Sequence, residues 1–165
     1  MPLISIVVPC YNEQESLPIF LKELDGVVRI MTQQGPGISF EAVLIDDGSA
    51  DKTLAVMKTE AAAAHPYAIR WHSFSRNFGK EAALFAGLQH AKGDYVATMD
   101  ADMQDPPSLL PQMYEILQTE NYDNVATRRT TREGEPPIRS FCARMFYKII
   151  NRIFQGRHRR RSTRF

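Results

Sequence analysis

The sequence predicts an α/β fold in which a mostly parallel sheet is flanked by helices. Four short runs rich in apolar and β-branched residues alternate with segments that show helical periodicity. Two of the strand-like runs end in closely spaced aspartates, and Gly or Pro residues separate several of the units. Such alternation favours a doubly wound sheet, and 165 residues are enough for a single domain with a buried core.

The first two strand–helix units occupy the amino-terminal part of the chain. The β-branched run at 3–8 is a predicted buried strand closed by Pro9, and it is followed by a helix whose apolar face runs over 17–31. The second predicted strand covers 40–45. An acidic turn then leads to a helix predicted over 52–64, with a Ser or Asp side chain available as its cap.

Two further units complete the predicted sheet. A strand at 68–74 precedes a helix that ends near Ala91, and a strand at 95–99 precedes a helix at 108–119. A short strand is predicted at 123–127. We expect the 95–99 strand to be central and buried, so that the acids that follow it lie at its carboxyl end.

The carboxyl-terminal part of the chain has a different composition. An arginine-rich loop at 128–137 precedes a segment, 138–154, whose apolar residues keep an unbroken helical spacing with basic residues between them. Residues 155–165 are polybasic and are predicted to be disordered. The 138–154 helix is either an interfacial membrane helix or a core-packing helix with a solvated basic face.

The net charge of +1 hides a strong asymmetry between two parts of the chain. Residues 1–127 carry 8 basic and 17 acidic side chains, whereas residues 128–165 carry 12 basic and 2 acidic side chains. A basic end favours an anionic surface, such as an anionic membrane surface, or an anionic substrate as its partner. No nucleic-acid partner is predicted, because aromatic residues are not interleaved with the basic residues of the tail.

Cysteine usage and apolar content indicate the compartment. Cys10 and Cys142 are far apart in sequence and are predicted to be structural thiols of a cytosolic protein. We find no run of 18 or more apolar residues and no signal-peptide pattern. These observations predict a cytoplasmic location.

Two pairs of aspartates are the main candidates for chemistry. Asp100 and Asp102 follow the predicted 95–99 strand and precede a Pro pair, and their carboxylates suit a hard divalent cation such as Mg²⁺ or Mn²⁺. They could equally serve as turn formers at a helix start. Asp46 and Asp47 follow the second strand, where they either make a turn or place one carboxylate against a nucleoside.

No dinucleotide-binding Gly-x-Gly-x-x-Gly or P-loop sequence follows a strand, so metal and cationic side chains must hold any phosphates. Lys80 is a candidate phosphate contact at a helix start. The arginines of the 128–137 loop are further candidates, because a guanidinium fork matches phosphate oxygens. For Lys80 and for these arginines the alternative is an ordinary solvated side chain.

Four segments together resemble family 2 glycosyltransferases of the GT-A fold. They are VVPCYNE (7–13), IDDGSAD (45–51), SRNFGKE (75–81) and MDADMQDP (99–106). Within this family they are most similar to polyprenyl-phosphate sugar transferases, the group that contains dolichol-phosphate mannose synthase and the bactoprenol glucosyltransferases. The resemblance extends from residue 3 to about residue 154, and it implies that 1–137 form the nucleotide-sugar-binding domain.

The resemblance also implies roles for individual residues. The nucleotide-sugar donor would be bound by two groups of positions, namely Pro9, Tyr11, Glu13, Ile45 and Asp47, and Lys80, Asp100 and Gln104. Mg²⁺ or Mn²⁺ would be held by Asp100, Asp102 and Gln104. Asp102 and Arg129 would be catalytic, with Arg129 near a donor or acceptor phosphate.

The activity that the resemblance implies is inverting, metal-dependent transfer of a hexose to a polyprenyl phosphate, at the inner face of the cell membrane. UDP-glucose is the favoured donor, with GDP-mannose as the alternative, and an oligomer is compatible with this. Members of the family continue into a Gly-Asp-Phe-Arg-like motif, where this chain has its arginine-rich tail. Two alternatives therefore stay open: a non-catalytic fragment that binds nucleotide or anionic membrane, and a soluble glycosyltransferase with a saccharide acceptor.

Overall fold

The computed structural model describes residues 1–35, 37–104, 106–120, 122–127 and 163–164. The chain divides into two compact units, Met1–Pro111 and Gln112–Phe165. The predicted helix at 138–154 and most of the predicted tail at 155–165 lie outside the described residues. Within the described ranges, no helix combines the length and the apolar content needed to cross a bilayer.

The first unit contains four strands and the helices that connect them. The strands are β1 (Leu3–Cys10), β2 (Ser39–Asp46), β3 (Ala68–Ser73) and β4 (Tyr95–Thr98). The connecting helices are α1 (Ser16–Gln34), α2 (Thr53–Ala62) and α3 (Lys80–His90). A 3₁₀ turn at Pro107–Leu109 leads into α4 (Leu110–Thr119), and the second unit contains a parallel pair, β5 (Val125–Ala126) and β6 (Thr163–Arg164).

The four main strands form one parallel sheet in the order β3-β2-β1-β4, which confirms the predicted α/β class. The prediction that the 95–99 strand is buried was wrong, because Val96 remains 43% exposed. Its central position stays a prediction, since among the described residues β4 pairs with β1 alone, at an edge of the described sheet. A short apolar run has the same sequence pattern in either place. The chain reverses its direction across the sheet between β1 and β4, and this reversal is where α/β sheets commonly bind ligands.

Helix α1 packs through the apolar face that the sequence predicted. Its buried residues are Leu17, Phe20, Leu21, Leu24, Val27, Val28 and Met31. Burying each large aliphatic or aromatic side chain contributes roughly 1.5–3 kcal/mol. This helix therefore anchors one side of the sheet.

Helix α3 approaches the other face of the sheet through small residues. Ala83 and Gly87 are buried, and a Cβ at Gly87 would lie 2.2 Å from Cγ1 of Val7. Only glycine allows this approach, because any larger side chain would collide with β1. The close packing brings the start of α3, at Lys80, to the carboxyl edge of the sheet.

Strand β1 continues through Pro9 to Cys10 instead of ending before the proline. The carbonyl of Val7 accepts a hydrogen bond from the Met99 N–H (3.0 Å), so the backbone of Val7 faces β4. Pro9 lies two residues further and faces the same side, beyond the last β4 pairing at Thr98. The N–H that proline lacks therefore has no ladder partner to lose.

A buried carboxylate joins three segments at the amino edge of the sheet. Glu41 accepts hydrogen bonds from the Ser5 hydroxyl (2.6 Å), the Lys92 backbone N–H (2.8 Å) and the Arg70 guanidinium (2.7 Å). Burial alone would raise the pKa of Glu41, but these hydrogen bonds and the charge of Arg70 lower it below its usual value. Glu41 is therefore a charged structural link between β1, β2 and the turn after α3.

Replacing the carboxylate by an amide should destabilise the fold in a pH-dependent way. We expect Glu41→Gln to lower the free energy of unfolding by about 2 kcal/mol at pH 7. Because the folded-state pKa is depressed, the stabilisation is present above the unfolded-state pKa of about 4.3 and is lost as the pH falls through the folded-state value. Urea unfolding at pH 7 and at lower pH measures both effects.

The matched control is Glu23→Gln on the exposed side of α1. This substitution should change the unfolding free energy by less than about 0.5 kcal/mol. Equal losses for the two variants, or a Glu41→Gln loss that does not shrink in acid, would contradict the assignment.

Candidate functional site

A cleft opens in the first unit at the carboxyl ends of the strands. Seven of the site residues predicted from the sequence line it, namely Pro9, Tyr11, Glu13, Asp47, Lys80, Asp100 and Asp102. Cys10, Asn77, Gly79, Ala83 and Ala101 also line it. Residues far apart in sequence therefore meet at the carboxyl ends of β1 and β4, where the chain reverses its direction across the sheet.

Three predicted site residues are not among the lining residues. Ile45 is fully buried and packs with Val7 and Ala83, so its side chain belongs to the core below α3. Gln104 is exposed, and its backbone N–H donates to Asp102 (2.9 Å). Arg129 lies outside the described residues.

The loops after β1 and β2 are joined by a set of hydrogen bonds. In one direction, the backbone N–H groups of Asn12, Glu13 and Gln14 donate to the side chains of Ser49, Thr53 and Asp51, respectively. In the other direction, the backbone N–H groups of Ala50 and Lys52 donate to the side chains of Asn12 and Gln14. Asn12 adopts a left-handed conformation (φ 58°), which asparagine tolerates better than most residues. These bonds hold Tyr11 and Glu13 at the rim of the cleft.

The two aspartates after β2 have different tasks. Asp46 accepts bonds from the Ser49 N–H (3.0 Å) and the Ser73 hydroxyl (2.7 Å), which makes it a turn and strand-pairing residue. Asp47 is only 3% exposed, and its carboxylate accepts bonds from the N–H groups of Phe78 (2.7 Å) and Gly79 (2.9 Å). The turn interpretation therefore applies to Asp46, and Asp47 is the acid of this pair that lines the cleft.

Gly48 allows the loop before α3 to lie directly on the acidic turn. It has a φ of +67°, and a Cβ at this position would lie 2.3 Å from the carbonyl carbon of Arg76. A backbone atom cannot move aside as a flexible side chain can. The contact between Gly48 and Arg76 therefore sets how closely the two loops approach.

The second acidic pair carries the only ion pair that the structure describes in the cleft. The Lys80 ammonium donates to Oδ2 of Asp100 at 2.6 Å, and the side chains are 55% and 33% exposed. Asp102 also lines the cleft and is exposed to solvent. Two carboxylates and a lysine ammonium therefore converge on one solvent-accessible place.

The oxygen donors of Asp100 and Asp102 fit a hard divalent cation. Among the described residues, no group of three or more His, Cys, Asp or Glu side chains is arranged around a common metal position. Mg²⁺ does not need one, since it commonly takes one or two carboxylates and completes its shell with water and substrate phosphates. In the structure the Lys80 ammonium is the positive charge that lies against Asp100.

Cys10 lines the cleft without being reactive. Burial, and then the neighbouring charges of Glu13, Asp46 and Asp100, raise the pKa of its thiol. The thiol therefore stays protonated at neutral pH and is a poor nucleophile. This agrees with the structural role expected for Cys10, while Cys142 lies outside the described residues.

Sequence reasoning did not single out several lining residues. Asn77 and Gly79 belong to the segment between β3 and α3, and their place after a strand was an available signal. Ala83 and Ala101 carry no such signal, because their small side chains matter only through what they leave open.

The fold and this cleft define the class of protein: the chain has the GT-A fold of glycosyltransferases. One similar solved structure is S. aureus TarS 1–349 in complex with UDP. The match covers 81% of this chain and 37% of the TarS chain, with a TM-score of 0.61 and 21% identity. A second is glucosyl-3-phosphoglycerate synthase from Mycobacterium tuberculosis in complex with UDP. The match covers 91% of this chain and 50% of the synthase chain, with a TM-score of 0.61 and 21% identity. At this identity the likeness shows the fold alone.

The chain belongs to glycosyl transferase family 2, whose family model matches residues 5–164. The bactoprenol glucosyl transferase of Shigella phage SfV is 41% identical over 150 residues, which are 91% of this chain and 46% of that protein. The undecaprenyl-phosphate 4-deoxy-4-formamido-L-arabinose transferase of Klebsiella pneumoniae (strain 342) is 39% identical over 152 residues. These are 92% of this chain and 43% of that protein. The chain thus spans less than half the length of these relatives.

A substitution at Gly48 should separate backbone strain from a general effect of added bulk. We expect Gly48→Ala to lower the free energy of unfolding by at least about 2 kcal/mol, because Cβ is strained at positive φ and collides with Arg76. Gly26→Ala is the matched control, since nothing lies within 4 Å of its Cβ position in α1. It should stabilise the protein by up to about 1 kcal/mol. Urea unfolding of both variants checks this, and the same sign for both would refute it.

Proposed function

We propose that this chain is the donor-binding part of an enzyme that transfers a hexose from a nucleotide-sugar to a polyprenyl phosphate. The observation that carries the proposal is the convergence of Asp47, Lys80, Asp100 and Asp102 on one cleft at the reversal point of the sheet. Two relatives support the acceptor class, because their names describe bactoprenol and undecaprenyl-phosphate sugar transfer. UDP is favoured as the nucleotide, and UDP-glucose is the favoured donor, with GDP-mannose as the alternative.

The nucleoside would bind on the side of the cleft formed by β1 and β2. Tyr11 is 48% exposed at the rim, so its ring is available for stacking on a base, and Pro9 lies beside it in the lining. The two carboxylate oxygens of Asp47 each accept one backbone N–H. Each oxygen has a further lone pair, which could accept a hydrogen bond from the base or the ribose.

The diphosphate would bind on the side formed by β4 and the start of α3. Family 2 enzymes commonly use a divalent metal, and Asp100 and Asp102 would hold Mg²⁺ or Mn²⁺ here. When bound, such an ion neutralises the charge that develops on the leaving diphosphate. Lys80 would add a second positive charge, and Gln104 and Arg129 remain predicted contacts from the sequence.

The acceptor needs little activation by the protein. A phosphate monoester has a second pKa near 6, so its oxygen is largely ionised at neutral pH. This oxygen would attack the anomeric carbon as the bond from that carbon to the diphosphate breaks, and the configuration would invert. The site has to position the reactants and neutralise charge, which suits acids and cations better than a Ser–His pair.

The proposed location is the cytoplasmic face of the cell membrane, where a lipid-linked acceptor would present its phosphate. The basic sequence at 138–154 and the polybasic sequence at 155–165 support peripheral attachment to anionic lipid. Vesicle co-sedimentation with and without residues 138–165 would test it. Equal binding of both forms to anionic vesicles would argue against attachment through this part of the chain.

Isothermal titration with UDP-glucose and with GDP-mannose, each with and without Mn²⁺, tests the donor site. We expect UDP-glucose to bind in a Mn²⁺-dependent way. Asp102→Asn keeps an acceptor for the Gln104 N–H but removes the charge, so it should weaken this binding by about tenfold or more, which is roughly 1.4 kcal/mol. Asp123→Asn, at an exposed aspartate outside the cleft, is the control and should bind like the native chain.

Transfer of radiolabelled glucose to polyprenyl phosphate in vesicles tests the reaction itself. Lipid-dependent transfer would support the proposal. Donor binding without any transfer would favour a binding fragment, and turnover on a saccharide in the absence of lipid would favour a soluble glycosyltransferase. No metal-dependent nucleotide binding would count against the whole proposal.

A further inference from the structure

We propose that Lys80 is an internal counter-ion of Asp100 which the divalent cation has to displace, and that the released ammonium then binds the donor diphosphate. The proposal deepens the function proposed above and rests on it. It makes Lys80 a donor-binding residue that couples metal binding to donor binding. The physical basis is that one carboxylate oxygen is shared between two cations that repel each other.

The ion pair occupies a position that the metal would need. Nζ of Lys80 lies 2.6 Å from Oδ2 of Asp100, a short charge-assisted hydrogen bond. A divalent ion that approaches this oxygen meets an ammonium in direct contact with it. Asp100 can therefore contribute fully to a metal site only after Lys80 has moved.

The pair is nevertheless easy to separate. The Lys80 side chain is 55% exposed and the Asp100 side chain 33% exposed, so water screens their attraction. Pairs of this kind are weak in measurements of protein stability. A dication shared by Asp100 and Asp102 has enough charge to compete with such a partner.

The backbone of Lys80 stays in place while its side chain moves. Lys80 is the first residue of α3, and the two preceding N–H groups, from Phe78 and Gly79, are held by the buried carboxylate of Asp47. The next turn of the helix is anchored at Ala83, which is fully buried. The flexible four-carbon stem would then be able to swing from Asp100 to a phosphate of the bound donor.

This arrangement predicts opposite effects on two binding equilibria. Without nucleotide, Lys80 competes with the metal, so the metal alone binds weakly. With the nucleotide present, the displaced ammonium gains a phosphate partner, so metal and diphosphate favour each other's binding. Removing the ammonium should strengthen the first equilibrium and weaken the second.

Mn²⁺ binding measured by electron paramagnetic resonance, in the absence of nucleotide, tests the competition without any activity assay. We expect Lys80→Met to bind Mn²⁺ about two- to fivefold more tightly than the native chain, the range that an exposed ion pair allows. At saturating Mn²⁺, the same variant should bind UDP about tenfold more weakly by titration calorimetry. Lys80→Arg keeps a cation at this position and should retain the weak Mn²⁺ binding.

The matched control is Lys92→Met, which removes the same charge from the opposite edge of the sheet. The Lys92 backbone N–H donates to Glu41, which lies in β2 six residues before Asp47 and therefore about 20 Å from it along the chain direction. A general effect of net charge would raise Mn²⁺ affinity equally in Lys80→Met and Lys92→Met, and this result would overturn the proposal. Unchanged or weaker Mn²⁺ binding by Lys80→Met, with a native chain that binds Mn²⁺ and UDP, would also overturn it and leave the proposed function intact.

Failure of the native chain to bind Mn²⁺ or UDP would remove the proposed function together with this inference. The two kinds of failure are therefore distinguishable from the native titrations alone. Because Lys80 is exposed, Lys80→Met should unfold in urea at the same midpoint as the native chain. Lys80→Gln serves as a second neutral variant and should reproduce the tighter Mn²⁺ binding.

Discussion

The buried carboxylate of Asp47 is the constraint on which the rest of the cleft depends. Its backbone N–H donates to the carbonyl of Cys10 (2.8 Å), and its two oxygens accept the N–H groups of Phe78 and Gly79. A buried charge is costly unless it is hydrogen-bonded, so these partners cannot be released cheaply. One residue thereby ties together the end of β1, the end of β2 and the start of α3, which are three of the segments that line the cleft.

The two edges of the sheet use charge in different ways. At the amino edge, Glu41 is buried among fixed donors and holds neighbouring segments together. At the carboxyl edge, Lys80 and Asp100 form a pair that remains open to solvent. Burial makes the first arrangement a structural link, whereas exposure allows the second to exchange partners with a ligand.

Hydrophobic periodicity and strand endings predicted the structure correctly wherever a local sequence pattern is compatible with only one arrangement of the chain. The apolar face of α1 was predicted over 17–31, and the buried residues of the helix lie in that range, because a helix that covers a sheet must bury a stripe of this period. The same reasoning could not foresee that β4 is partly exposed or that β1 continues through Pro9. Both outcomes depend on which strand pairs with which, and a strand's neighbours leave little trace in its own sequence.

The sequence by itself determined the α/β class, the family and the gathering of aspartates at the strand ends, because these follow from local periodicity and short motifs. The tertiary structure decided that Asp46 makes the turn while Asp47 lines the cleft, and that Ile45 belongs to the core. It also paired Lys80 with Asp100, twenty residues apart in the chain. Neighbouring residues on a strand point to opposite faces, so their roles separate only when the packing of the sheet against α3 is known.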